Sequence, residues 1–129
     1  MFEFGNVLEL LILITKLLRS DADDEETKAL AFLDETDIEL AEKCFQTTLA
    51  SWNYLTNIND LNLEIQLNVS LESSKFSKTV WEKMTADFKS WHNFTDPDLK
   101  RRFEKSIFLG ASALPEEDLV QVLIKKQIY

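Results

Sequence analysis

Glycine and proline are scarce in this chain, with two of each in 129 residues. Turns draw heavily on both, so the chain has few reversals and must be built from a few long segments. There is one cysteine, Cys44, which excludes an internal disulfide and any multi-cysteine zinc cluster. Lying on an apolar helical stripe, it reads as a small buried hydrophobe. The only histidine, His92, is almost fifty residues away, which argues against a catalytic Cys–His pair. A lone histidine also excludes H-E-x-x-H, in which two imidazoles on one helix face hold zinc and the glutamate acts as base. A glycine-rich phosphate loop and a G-x-S-x-G elbow are missing as well. Basic residues are outnumbered, 14 against 23 acidic, for a net charge of −9. That surface repels phosphate backbones and anionic lipid, so nucleic acid is excluded as a natural partner. The one basic run, Lys100-Arg101-Arg102, is flanked by Asp96, Asp98 and Glu104 and reads as a solvated helix face.

What remains is helical periodicity. From Thr27 to about Asn57, residues Leu30, Leu33, Ala41, Cys44, Phe45, Thr48, Trp52 and Leu55 fall at helical spacing, and Ile38, Phe45 and Trp52 repeat every seven. This predicts one long helix with that face buried. Thr36-Asp-Ile-Glu39 has the form of a capping box, but no glycine or proline breaks the segment and a continuous helix is expected. The acidic lead-in from Asp21 to Glu26 suits a helix N-terminus. Asn57-Ile-Asn-Asp60 marks a turn. Residues 61–71 alternate strictly, from Leu61 and Leu63 to Val69 and Leu71, which read alone is a strand. A lone strand would have no partner for its backbone groups, so helix is expected there too. Over residues 72–92, Phe76, Val80, Trp81, Met84, Phe88 and Trp91 give a second aromatic-rich helix face, predicted to pack antiparallel against Phe45 and Trp52.

The last third reads as two short helices. Asp96 is placed to cap the first, with Pro97 at its first position and Leu99, Phe103 and Ile107 on one stripe. Gly110 offers a stop, and Pro115 opens the next helix with Glu116, Glu117 and Asp118 in its first turn, where the helix dipole favours carboxylates. The fold class is therefore all-α, with long antiparallel helices. The C-terminal side chains Leu99, Phe103, Leu119 and Leu123 are expected to leave an apolar face partly uncovered, with self-association as the consequence.

Two blocks go beyond periodicity. Asp98-Leu-Lys-Arg-Arg-Phe103 followed by Leu109-Gly-Ala-Ser-Ala-Leu-Pro-Glu-Glu-Asp118 resembles the N-terminal helical region of the angiotensin-converting-enzyme family in its insect-like form. Upstream, Ser51-Trp-Asn-Tyr-Leu-Thr-Asn-Ile58 is similar to that family's W-x-Y-x-T-N-I block. The matching residues are Trp52, Tyr54, Thr56, Asn57, Leu99, Lys100, Arg101, Phe103, Leu109, Gly110, Ala113, Leu114 and Pro115, all structural in character. The resemblance implies zinc peptidyl-dipeptidases that release C-terminal dipeptides, use zinc and chloride, and carry N-terminal helices as a lid over a deep substrate channel. It implies that residues 23–129 are such a lid, an incomplete domain with no catalytic or metal residue and no cofactor of its own. Peptide substrates would then concern it only as part of a longer enzyme. The rival expectation is a free-standing secreted helical protein that binds or decoys a partner, and a third is a helical interaction module unrelated to peptidases.

Residues 7–18 are mostly apolar and lead to Ser20-Asp-Ala22, which resembles a signal peptide spanning residues 1–22 despite Glu3, Glu9, Lys16 and Arg19; the alternative is an ordinary amphipathic helix with Glu9, Lys16 and Arg19 on one polar stripe. The run is too short and too charged for a membrane span. Asn68-Val-Ser70 and Asn93-Phe-Thr95 are N-glycosylation sequons at Asn68 and Asn93. Together these predict an extracellular glycoprotein.

Overall fold

The computed structural model describes residues 4–128. Four α-helices carry the fold: α1 Phe4–Thr56, α2 Asp60–Asp87, α3 Pro97–Ser106 and α4 Glu116–Ile128. Two 3-10 turns, Trp91–Asn93 and Gly110–Ala113, join the last three. Among the described residues there is no strand, in agreement with the all-α expectation. The alternating segment 61–71 lies inside α2 and is helical.

α1 is unbroken through Thr36–Glu39, as expected, but it begins far earlier than the acidic lead-in. Asp21 to Glu26 therefore lie within a helix rather than at its start. At 1.5 Å per residue its 53 residues span about 80 Å, so it overhangs α2, whose 28 residues span about 42 Å. Residues 6–24 are exposed on every side. Glu3 of the expected leader lies outside the described residues.

The turn from α1 to α2 is made by asparagines. The Asn57 carbonyl accepts from Asn62 Nδ2 at 2.7 Å and Asn59 Nδ2 at 3.2 Å. Asn59 Oδ1 caps α2 by accepting from the Asn62 N–H at 2.8 Å. Side-chain amides thus supply the turn that glycine would otherwise make. α1 and α2 then run antiparallel, as expected: Ser51 meets Gln66 near the turn, and Glu25 meets Ser90 at the far end.

The buried face of α1 differs from the expected one. Ala29, Leu33, Thr36 and Ala50 are buried, with Leu40, Thr47, Ser51 and Tyr54 half-buried, again at helical spacing. Phe45 (62% exposed), Trp52 (65%), Ile38, Leu55, Leu30 and Cys44 face away from α2. The sequence reading assumed that the most apolar face is the buried one. α2 instead packs on the face with the smaller side chains, where two backbones come close. Cys44 is consequently exposed rather than a buried hydrophobe.

The core lies at the open end of the hairpin. Phe103, with no exposed surface, stands among Phe88, Phe94 and Trp91, at ring-centroid distances of 5.6, 5.3 and 6.2 Å. Ala29, Leu33, Met84 and Leu99 complete the cluster. Met84, Phe88 and Trp91 are buried as predicted, but α2 stops at Asp87 and Trp91 belongs to the following 3-10 turn. Of the four C-terminal side chains expected on a partly uncovered face, Leu99, Phe103 and Leu119 are buried, while Leu123 is half-buried and lines an open groove.

Asp96 caps α3 as predicted, its Oδ1 accepting from the N–H of Asp98 at 2.9 Å and of Leu99 at 3.2 Å. α3 ends at Ser106, before Gly110, so Gly110 is not its stop. Gly110 takes a φ of +58° at the start of the second 3-10 turn, a conformation that glycine adopts without the penalty of a Cβ. Pro115 precedes α4, its carbonyl accepting from the Leu119 N–H at 2.9 Å.

Candidate functional site

The most developed polar arrangement joins α1 to the segment between α2 and α3. Glu25 accepts from Ser90 Oγ at 2.6 and 2.7 Å. Glu26 accepts from the Thr95 backbone N–H, from Thr95 Oγ1 at 3.0 and 3.2 Å, and from the Asp96 N–H at 3.4 Å. One turn-set further along α1, Asp34 and Asp37 take Arg102 between them. Its Nη1 and Nη2 lie 3.1 Å from Asp34 Oδ1, and Nη2 lies 2.8 Å from Asp37 Oδ2. Four carboxylates on one helix thus hold the 90–96 connection and α3 against the core.

Sequence reasoning missed this clasp. Arg102 was expected in a solvated face, but it is only about a third exposed and bridges to α1. The available signal was spacing: Glu25, Glu26, Asp34 and Asp37 border the Ala29–Leu33–Thr36 face that is truly buried. Arg101 does behave as a surface residue, pairing with Asp98 at 3.0 Å.

The two family-like blocks are not brought to one point. Trp52 is exposed on the outer face of α1, Tyr54 is half-buried on the inner face, and Thr56 Oγ1 donates to the Trp52 carbonyl at 2.8 Å. Thr56 and Asn57 therefore end α1 and build its turn. Leu99 and Phe103 enter the core, while Leu109, Gly110, Ala113, Leu114 and Pro115 shape the passage to α4. That passage is tied to α2 by Trp81, whose Nε1–H donates to the Ile107 carbonyl at 3.0 Å, and by Lys75 with Glu116 at 3.0 Å. Lys100 is half-buried on α3.

An open cleft of about 570 Å³ lies between α1, α2 and α4, lined by Ser51, Tyr54, Gln66, Ser70, Ser73 and Leu123 among others. Gln66 is buried and donates from Nε2 to Ser51 Oγ at 3.0 Å, while its Oε1 has no partner. An apolar groove beside it is bordered by Leu63, Leu67, Leu71, Val120 and Leu123, with Asn68 at its rim. Asn68 is exposed in mid-helix, and Asn93 is exposed in the 3-10 turn whose neighbour Thr95 is held by Glu26. His92 stacks on Trp91, with centroids 3.7 Å apart.

These residues do not fit zinc. Among the described residues, no group of three or more His, Cys, Asp or Glu side chains could hold a metal ion. Nor, among the described residues, is any helix long and apolar enough to cross a membrane. Fold and site together define an all-α hairpin with a two-helix extension, whose polar clusters tie helices to one another.

Comparison with known proteins then gives the family. The family model described as angiotensin-converting enzyme matches residues 23–126. An angiotensin-converting enzyme of Theromyzon tessulatum is 36% identical over 93 residues, covering 72% of this chain and 15% of that protein. One from Haematobia irritans exigua is 35% identical over 102 residues, covering 79% of this chain and 16% of that protein. One from Oryctolagus cuniculus is 32% identical over 115 residues, 88% of this chain and 8% of the relative. The chain belongs to the angiotensin-converting-enzyme family, and it spans about 15% of the length of the first two relatives.

Proposed function

We propose that this chain is the N-terminal lid-helix region of a zinc peptidyl-dipeptidase and releases no dipeptides by itself. The observation that carries this reading is the extent of the match: residues 23–126 align with the family, yet they amount to 15% or 16% of the first two relatives. A lid needs what these residues provide, a stiff helical hairpin with a capped turn and no reacting group. In this reading peptide substrates meet the chain only within a longer enzyme, whose zinc and chloride are held elsewhere. Sequencing the transcript tests it: reading frame continuing past Tyr129 into H-E-x-x-H is the expected result, and a stop codon there would overturn it.

A second reading is a free-standing helical binding or decoy protein derived from such a lid. The observation in its favour is that Leu99, Phe103 and Leu119 are buried within the chain itself.

Under either reading the protein is secreted, with residues 1–22 as a cleaved leader and glycan on Asn93. Support for the leader comes from two sides. The family match begins at Asp23, directly after the expected cut, and Val7, Leu8, Leu10, Leu11, Leu17 and Leu18 are exposed with no packing partner. Asn93 lies exposed on a turn, whereas Asn68 sits within a regular helix and is the poorer acceptor. Expression in eukaryotic cells, comparing wild type with Asn93→Gln, should give secreted protein whose glycosidase-sensitive mobility shift is lost in the variant. Intracellular protein of unshifted mass would refute both leader and sequon.

A further inference from the structure

In the folded chain the sequon at Asn93 is open at its first residue and closed at the other two. The Asn93 side chain is exposed, so a glycan there has room. Phe94 is buried, its ring edge-on to Phe103 with centroids 5.3 Å apart. Thr95 is held by Glu26 of α1: its backbone N–H donates to that carboxylate, and its Oγ1 lies 3.0 and 3.2 Å from the two carboxylate oxygens. The backbone before it is engaged as well. The Asn93 N–H donates to the Ser90 carbonyl at 2.8 Å, and the Phe94 N–H to the Trp91 carbonyl at 3.1 Å.

We propose that Glu26 gates glycan transfer to Asn93: the folded chain is refractory, and modification is confined to chains in which Thr95 has not yet met Glu26. This rests on the reading of the chain as secreted and asks what regulates that same site. Transfer joins Asn93 Nδ2 to the anomeric carbon of an oligosaccharide carried on a lipid pyrophosphate. The bond from that carbon to the pyrophosphate oxygen breaks, the lipid pyrophosphate leaves with the electron pair, and one amide proton is released. The acceptor pattern demands a hydroxyl two residues after the asparagine, so the Thr95 hydroxyl is the group that the transferase reads. Glu26 holds that same hydroxyl and the N–H beside it. Hydrogen bonds to a carboxylate are of the stronger, charge-assisted kind, and Thr95 changes partners only when the 90–96 connection opens locally.

Synthesis runs from α1 toward the sequon. Glu26 precedes Thr95 by 69 residues, so its carboxylate is already present when Thr95 is made, whereas Phe103, which covers Phe94, is still to come. Glu26 is therefore the first of the two locks able to close. Transfer before closure leaves a glycan that the exposed Asn93 accommodates. Closure before transfer leaves Asn93 bare.

Transfer in vitro tests this, with unglycosylated full chain, purified transferase and its lipid-linked oligosaccharide, the occupancy of Asn93 being read by glycopeptide mass. A synthetic peptide of residues 90–98 is the unfolded reference. Folded wild type should be modified at least about a hundredfold more slowly than the peptide, because only the locally opened chain can react. Glu26→Ala, with unchanged circular dichroism, should be modified about tenfold faster than wild type, the factor expected for losing these bonds. Ser90→Ala removes the neighbouring bond to Glu25 but leaves Thr95 held, and should accelerate transfer by no more than about threefold. Folded wild type modified as fast as the peptide would overturn the gate while leaving the glycan reading intact, whereas a peptide that takes no glycan would overturn both. Equal acceleration by Ser90→Ala and Glu26→Ala would show a general loosening of the connection and would also overturn the gate.

Discussion

Replacing Phe103 by alanine removes the ring at the centre of the aromatic cluster. Phe103 has no exposed surface, and Phe88, Phe94 and Trp91 all rest on it. These three come from the end of α2 and the connection beyond it, while Phe103 comes from α3. The cavity left behind is bordered by rings from two elements, and Phe88 is itself held against Phe32 of α1 at a centroid distance of 5.5 Å. Phenylalanine-to-alanine changes in a core cost about 3–5 kcal/mol, the upper half applying where the walls cannot collapse. Phe88 and Trp91 also have ring partners outside the cavity, in Phe32 and His92, which hold two of the walls in place, so about 4 kcal/mol is expected. Against a total stability on the order of 5–15 kcal/mol, that leaves a chain folded only weakly or not at all at 37 °C. Chemical denaturation followed by circular dichroism, at concentrations where the chain is monomeric, measures the loss. Phe108→Ala is the comparator: Phe108 is 83% exposed, and its truncation should stay within about 0.5 kcal/mol. A Phe103→Ala cost below about 1 kcal/mol, or equal effects of the two, would refute the placement of the core.

Glu26→Ala frees the N–H groups of Thr95 and Asp96, at a cost of about 1–2 kcal/mol; hydrogen exchange at those two amides should accelerate while the middle of α2 is unchanged. Trp81→Phe keeps an aromatic side chain but loses both the bond to the Ile107 carbonyl and part of the indole packed on the core, so thermal unfolding should report a loss of at least about 1 kcal/mol. Arg102→Lys cannot bridge Asp34 and Asp37 with a planar fork, and should cost up to about 1 kcal/mol, an effect that fades in high salt. Gly110→Ala meets open space, so any loss comes from its φ of +58° alone and should be about 1 kcal/mol.

Much of this fold was legible in the residues. The caps and turn at Asp96, Pro97 and Asn57–Asp60 followed from side chains whose hydrogen bonds are local, and local chemistry does not depend on what packs where. The helix over 61–71 followed from the requirement that backbone groups be paired, against a pattern that alternated like a strand. The rotation of α1 was not legible. Ile38, Phe45 and Trp52 make the more apolar face, but burial is decided by which face a neighbour can approach, and α2 approaches the one with Ala29, Thr36, Ala50 and Ser51. The carboxylate clasp was hidden for the same reason, since Glu25, Glu26, Asp34 and Asp37 gain meaning only once that face is known. Gly110 looks like a stop for α3, but that helix ends at Ser106, four residues earlier, and the φ of Gly110 serves the next turn.

The most direct test of the lid reading is an assay of dipeptide release by the purified, homogeneous chain, with added zinc and with a chelator. The account predicts no release above the zinc-only control under either condition, because one histidine and one cysteine supply no metal site. Release of C-terminal dipeptides that the chelator abolishes would contradict it.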